Sequence, residues 1–149
     1  MWINAAIFSA IPLAFAVAAQ SFGRFPFEWQ SLRWTGLALV VGGAALRWLA
    51  VLTLGSRFTV DLAIAANHEL VRRGPYRILR HPSYSGALLS FVGLGVALGN
   101  FACVAVLLLP VGFAFLNRMR VEEEMMCAAF PQDYPAYRRA TWALAPFIY

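Results

Sequence analysis

Residues 85–117 read SGALLSFVGLGVALGNFACVAVLLLPVGFAFLN, a run without a single charged side chain. It divides into two apolar segments, Ser85–Leu98 and Phe101–Asn117, joined only by Gly99-Asn100. Two residues give room for nothing but a reversal, so the run predicts a tight antiparallel helical hairpin. Each arm is short for a complete crossing of a hydrocarbon core of about 30 Å, which predicts a tilted or shallow hairpin.

The rest of the chain follows the same pattern. Of the 149 residues, 61% are hydrophobic and 13% charged, where a soluble domain carries roughly 25% charge. A chain of this size has no core large enough to enclose so much apolar side chain, and a bilayer removes the difficulty. Two more apolar segments precede the hairpin, about Trp2–Ala19 and Trp34–Leu54. The first resembles a secretory leader but lacks a basic start, and it reads as a retained membrane helix. The expectation is an all-α membrane protein with about four transmembrane helices. It forms one domain over 1–149, with two N-terminal spans through residue 56 and a polar, motif-bearing region over 57–149.

The formal charge of +5 comes from arginine, since there is no lysine. Nine of the twelve arginines lie in two groups, Arg57, Arg72, Arg73, Arg77 and Arg80, and Arg118, Arg120, Arg138 and Arg139. Because they flank apolar segments, they read as membrane-orienting charges rather than as a nucleic-acid surface. Four spans with a cytoplasmic N-terminus put both groups, both termini and any site between them on the cytoplasmic side. Arg72 and Arg73 read as topology determinants. Cys103 and Cys127 are too few for a disulfide framework, and His68 and His81 lack metal-ligand spacing.

Two polar clusters carry the chemistry. GPYRILRHPSYSG, residues 74–86, places Tyr76, Arg77, Arg80, His81 and Tyr84 between two Pro-containing breaks. The plain alternative is a cytoplasmic loop with orienting arginines and interfacial tyrosines. The second cluster is Arg118, Arg120, Glu122, Glu123 and Glu124. On a helix Arg118 and Glu122 are neighbours at i, i+4, as are Arg120 and Glu124. The plain alternative there is a solvated helix start whose acids favour the N-terminal dipole. Beyond Asn117 the chain reads as a separate tail, a short helix and then an interfacial segment with Tyr134, Tyr137 and Trp142 in the headgroup layer. Arg47, within the second span, is a costly cation that faces a protein interior or snorkels. The glycines of FVGLGVALGN lack a preceding strand and dinucleotide spacing, and they read as close helix packing.

From His68 onward, HELVRRGPYRILRHPSYSG resembles the motif region of the isoprenylcysteine carboxyl methyltransferase and phospholipid methyltransferase superfamily, with Arg80–Tyr84 (RHPSY) as the strongest element. Arg118 followed by Glu122-Glu123, then Phe130, Tyr134, Tyr137 and Pro146-Phe147-Ile148, continues the likeness. The resemblance implies S-adenosyl-L-methionine as methyl donor and S-adenosyl-L-homocysteine as product. It also implies a cofactor site drawn from His68, Tyr76, Arg80, His81, Tyr84, Glu122 and Glu123, with Arg118, Glu122 and Glu123 as catalytic candidates. The implied acceptor is lipid-like. A carboxylate acceptor needs no base, whereas an ammonium must first lose a proton to a group such as Glu123 or His81. The choice among a carboxylate, a phospholipid amine and another amphiphile stays open here, as does the oligomeric state. The competing reading is a non-catalytic membrane protein whose basic face binds anionic lipid or a partner.

Overall fold

The computed structural model describes residues 2–20, 22–25, 29–55 and 70–147. Among them it is all-helical: α1 Trp2–Ala18, α2 Trp29–Leu54, a single 3-10 turn Gly74–Arg77, α3 Pro82–Ala97, α4 Phe101–Ala129 and α5 Tyr134–Ala140. Two of these helices, α2 and α4, are long and apolar enough to cross a membrane, and α1 and α3 are shorter apolar helices. Only 11% of the most apolar stretch of α2 and 22% of that of α4 is buried inside the protein. Such exposure excludes the core helices of a soluble domain. Phe8, Val41, Trp48, Leu109 and Phe113 all point outward, as a lipid-facing surface requires. Hydroxyls on these helices satisfy themselves internally: Ser9 and Thr35 each donate to a carbonyl one turn back, which removes the cost of a lone polar group in an apolar setting.

The predicted hairpin forms. Gly99 takes a left-handed φ of 70°, accessible at little cost without a Cβ. Asn100 then caps α4, its Oδ1 accepting from the backbone N–H of Ala102 at 2.8 Å and of Cys103 at 3.4 Å. Its Nδ2 donates to the Phe22 carbonyl at 2.8 Å. Two backbone hydrogen bonds, Phe25 N–H to Gly99 and Phe101 N–H to Gly23, both 2.9 Å, fasten the segment after α1 to the hairpin tip. The end of α1 therefore sits at the turn, and the start of α3 and the end of α4 meet at the opposite end of the bundle.

The helices pack as a row in which α2 lies on α3, α3 on α4 and α4 on α1. The α2–α3 contact is backbone on backbone. A Cβ on Gly43 would stand 2.4 Å from the Gly86 carbonyl oxygen, and one on Gly93 2.6 Å from that of Gly36. Small residues allow this approach, and without a hydrophobic drive between helices in lipid it is their main source of contact. The pairing of Gly36 with Gly93 and Gly43 with Gly86 makes the two helices antiparallel. Between α1 and α4, Ala10, Ala14, Cys103, Leu107, Val111 and Phe115 form the apolar core, and the Cys103 thiol donates to the Ala14 carbonyl.

Three expectations change. The fourth segment does not stop at Asn117, because α4 runs unbroken for 29 residues. At 1.5 Å per residue that is roughly 43 Å, so this arm is not short; no breaker follows Asn117, and the arginine–glutamate run continues the helix. Glu122–Glu124 consequently lie toward the C-terminal end of α4 rather than at a helix start. The dipole there opposes acids, so their favourable partners are side chains. Finally, Tyr134 and Tyr137 are buried, 2% and 7% exposed, because α5 folds back against the protein; of the three aromatics expected in the headgroup layer, only Trp142 keeps an outward face. Pro12 and Pro110 sit inside α1 and α4 without ending them.

Substituting Gly43 by leucine is expected to lower bundle stability by at least ~2 kcal/mol through overpacking. Gly42, whose added Cβ meets nothing within 4 Å, should tolerate the same change. Thermal unfolding of both variants in one detergent checks the contrast.

Candidate active site

At the far end from the turn, three segments converge. Gly74, with φ 57°, reverses the chain against the end of α2, where an added Cβ would meet Thr53 Oγ1 at 3.0 Å. Pro75 opens the 3-10 turn and Pro82 opens α3, each where a missing N–H costs nothing. The residues after α5 then run alongside 78–81 like one added strand. Trp142 N–H donates to the Ile78 carbonyl at 2.9 Å, Arg80 N–H to Trp142 at 2.7 Å and His81 N–H to Ala143 at 3.1 Å. The N–H groups that precede α3, which lack helical partners, are thus satisfied by the C-terminal segment. Ser85 Oγ adds a bond to the Leu144 carbonyl at 2.5 Å.

This framework aims the side chains of α3 at α4. Arg80 Nε donates to Glu123 Oε1 at 2.7 Å, the two side chains 6% and 7% exposed. Its Nη1 donates to the carbonyls of Arg138, at 2.9 Å, and Thr141. Arg138 Nε reaches the other oxygen, Glu123 Oε2, at 3.1 Å. His81 stands between the two acids, Nε2 3.4 Å from Glu123 Oε1 and Nδ1 3.6 Å from Glu122 Oε2. Glu122 Oε1 accepts from the Tyr84 hydroxyl at 2.6 Å and from Arg118 Nε at 2.8 Å. The Tyr84 ring is held by Phe115, 4.6 Å between centroids. Three arginines, a histidine and a tyrosine thus surround two carboxylates.

Tyr76 belongs to the edge of this cluster. Burial, and then the charges of Tyr137 and Glu122, push its phenol well above the ordinary tyrosine range. Its carbonyl accepts from the Tyr137 hydroxyl at 2.8 Å. Burial also raises Tyr137 to about 12, and Arg80 and Arg72 oppose the shift. Both phenols therefore stay neutral, and that of Tyr137 acts as a donor.

The two sequence clusters are brought together as expected, with Arg80, His81, Tyr84, Arg118, Glu122 and Glu123 in one network and Tyr76 beside it. His68 and Arg57 lie outside the described residues. Glu124 is not in the ion network; it lines, with Arg120, Glu123, Cys127 and Arg138, a cavity of about 310 Å³ beside it. Sequence reasoning assigns Arg138 only to membrane orientation and misses its contact with Glu123. Nothing local marks it, since the turn between α4 and α5 makes the approach. Arg72, which the sequence reads as a topology determinant, pairs with Asp133 at 2.9 Å and lies over the Tyr137 ring. Among the described residues no group of three or more His, Cys, Asp or Glu forms a metal site.

Fold and site together define an all-helical membrane protein that gathers buried, mutually compensated charges at one end of its bundle. Comparison with known proteins makes this specific. The sequence model of the isoprenylcysteine carboxyl methyltransferase family matches residues 36–128. A rice (Oryza sativa subsp. indica) relative named as a probable protein-S-isoprenylcysteine O-methyltransferase is 33% identical over 123 residues, covering 81% of this chain and 64% of its own length. The mouse (Mus musculus) protein-S-isoprenylcysteine O-methyltransferase is 36% identical over 126 residues, covering 81% of this chain and 44% of its own. The solved structure of a eukaryotic intramembrane Ras methyltransferase superposes with a TM-score of 0.74 at 31% identity, covering 97% of this chain and 52% of that one. The chain belongs to the isoprenylcysteine carboxyl methyltransferase family, and spans about half the length of the relatives it matches.

Removing Arg80 leaves Glu123 buried with fewer partners and two tail carbonyls without their donor, a loss of about 3–5 kcal/mol. In Arg80→Ala, trypsin is expected to cut at Arg138 and Arg139 well before it does in the parent, as read by limited proteolysis. The raised phenol of Tyr137 contributes stability that is full below about pH 10, its ordinary value, and is lost as pH rises toward about 12. Alkaline titration of unfolding should show that loss, reduced in Tyr137→Phe.

Proposed function

We propose that this chain is an integral membrane methyltransferase that uses S-adenosyl-L-methionine to methylate the carboxylate of a lipid-like acceptor at the cytoplasmic membrane face. The observation that carries the reading is the joining of Arg80, His81 and Tyr84 at the start of α3 to Glu122 and Glu123 near the end of α4. Family membership supplies the reaction class, and the names of the curated relatives point to oxygen as the methylated atom. In this reading all four apolar helices are embedded, α1 and α3 tilted or thinning the bilayer, and the arginine-rich end faces the cytoplasm.

The donor set suits the cofactor. Beside the network, the cavity of about 310 Å³ presents Arg120 and Arg138 together with Glu123 and Glu124, matching a ligand that carries both a carboxylate and an ammonium. Arginine forks onto carboxylates, and glutamates accept from ammonium or ribose hydroxyls. Tyr76, Tyr84 and His81 supply ring faces for the adenosine and for a cationic sulfonium. When bound, the cofactor supplies an electrophilic methyl group on sulfur. The contribution of Arg118, Glu122 and Glu123 is then positional, because methyl transfer needs an aligned nucleophile and a site closed to water.

The geometry favours a carboxylate over an amine. Glu123 accepts from Arg80 and Arg138 and faces His81, a setting that makes it a poor proton acceptor. A carboxylate requires no base. Arg47 adds a second argument. It projects from apolar α2 beside the start of α3, Nη1 3.2 Å from Ser83 Oγ and 3.3 Å from the Ser83 carbonyl. Both are neutral acceptors. An intramembrane cation held at Ser83, close in the chain to His81, is suited to an anionic head group arriving from the bilayer.

Calorimetry of detergent-purified protein is expected to show saturable S-adenosylhomocysteine binding, weakened by about tenfold or more in Glu123→Ala and in the gentler Tyr84→Phe. Folded protein without binding, in detergent and in nanodiscs, would refute the reading. Arg47→Gln should preserve cofactor affinity while reducing methyl transfer to a prenylcysteine carboxylate by about tenfold to a hundredfold. Single-turnover assays with labelled cofactor check this.

A further inference from the structure

A second cavity, of about 410 Å³, lies outside the network just described. It is lined by Arg72 and Arg77 on one side and by Ala136, Tyr137, Ala140 and Thr141 on the other. Its polar lining is cationic. Arg72 is tied to Asp133 by a pair in which both side chains are largely exposed, 46% and 65%, so the pair is weak and exchangeable. Among the described residues the Arg77 guanidinium has no hydrogen-bond or ion-pair partner. Tyr137 and Thr141 use their hydroxyls on Tyr76 and on the Tyr137 carbonyl, and they form walls rather than competing acceptors.

The rim is apolar. Ile78 follows Arg77 and is 56% exposed, and Trp142 follows Thr141. The backbone bond from Trp142 to Ile78 holds these two side by side. Phe147 stacks on Trp142, 5.3 Å between centroids, and is 87% exposed. It is the one non-glycine among the described residues with a positive φ, 68°, a conformation that a side chain with a Cβ resists. The strained turn keeps an aromatic ring outward at the polar end of a membrane bundle, the level at which aromatic belts sit. In the two stretches that line the cavity, residues 72–77 and 133–141, arginines outnumber the single acid, Asp133, although Arg138 is committed to Glu123.

We infer that this cavity is a binding site for the phosphate of an anionic lipid headgroup, phosphatidylglycerol-like, with Arg72 and Arg77 as its ligands and Ile78, Trp142 and Phe147 resting among the adjoining acyl chains. A cationic pocket bordered by outward aromatics matches a molecule that is anionic at one end and apolar at the other. A soluble anion would make no use of the apolar rim, and an acidic peptide would not require it at this level of the bundle. Lipid bound here braces the 3-10 turn against α5, the two elements that position Arg80 and Arg138 on Glu123. The site is independent of the methyl-transfer reading, since no residue of the ion network lines it.

Native mass spectrometry of the full chain in detergent, titrated with phosphatidylglycerol and separately with phosphatidylcholine of the same acyl chains, tests this. The expected result is one saturable phosphatidylglycerol adduct, about tenfold tighter than any phosphatidylcholine adduct and weakened about fivefold by Arg77→Gln or by Arg72→Gln. Arg73→Gln, outside the cavity, should change it less than about twofold. Circular dichroism and unchanged S-adenosylhomocysteine affinity in these variants establish that they fold, and separate failure of this site from failure of the cofactor site. Equal binding of the two lipids would overturn the inference, as would equal loss in all three variants, which would mean diffuse charge. Complete displacement by millimolar inorganic phosphate, or by a glutamate-rich peptide, would equally overturn it in favour of a soluble anion or a protein partner.

Discussion

The guanidinium of Arg80 ties three parts of the chain to one point. Its Nε holds Glu123 near the end of α4, its Nη1 holds the carbonyls of Arg138 and Thr141 at the end of α5, and its backbone N–H is fixed to Trp142. A charge pair this deeply enclosed is not itself a large source of stability, because desolvation offsets most of the attraction. Its effect is on arrangement. With Glu123 committed to Arg80, His81 and Arg138, the neighbouring Glu122 turns to Tyr84 and Arg118, and two adjacent identical acids acquire different surroundings. The C-terminal segment, the 3-10 turn and the end of α4 then form one rigid corner.

That corner can exist only because the helices beneath it approach so closely. The glycines of α2 and α3 bring the backbones into contact, which places Arg47 of α2 against Ser83 of α3 and so beside His81 and Tyr84. Wider packing would leave the Arg47 cation without its Ser83 partner in an apolar setting. The same row of helices leaves most of the apolar side chains of α2 and α4 outward. The ionised groups are thus gathered at one end of an otherwise apolar bundle. The mouse relative and the solved Ras methyltransferase are longer than this chain, yet the superposition on the solved structure takes in nearly the whole of it.

Much of this architecture is legible in the amino-acid sequence. The hairpin follows from Gly99-Asn100, the membrane class from the lack of charge, and the meeting of the two clusters from the arginine distribution. RHPSY and the paired glutamates, each in its place, mark the family and the residues of the ion network. Other features are not legible there. The continuity of α4 past Asn117 is hidden by the change from apolar to charged residues, which alters the solvent a helix faces and leaves its hydrogen bonds intact. The burial of Tyr134 and Tyr137 depends on α5 folding back. Arg138 looks like any orienting arginine, because its acid lies across a turn whose geometry no local pattern encodes.

The division has a physical basis. Sequence alone determined what depends on composition and short-range spacing: preference for lipid over water, helix over strand, the position of the turn, the grouping of the arginines and the residue types available for chemistry. Tertiary structure decided which charge meets which. It gave Glu123 to Arg80 and Arg138, it added Tyr84 to the i, i+4 partner that Glu122 already had in Arg118, and it set Arg47 of apolar α2 against Ser83. Ion pairing falls off within a few ångströms and depends on desolvation. Partners 15 to 58 residues apart are therefore chosen only when packing has brought their segments together.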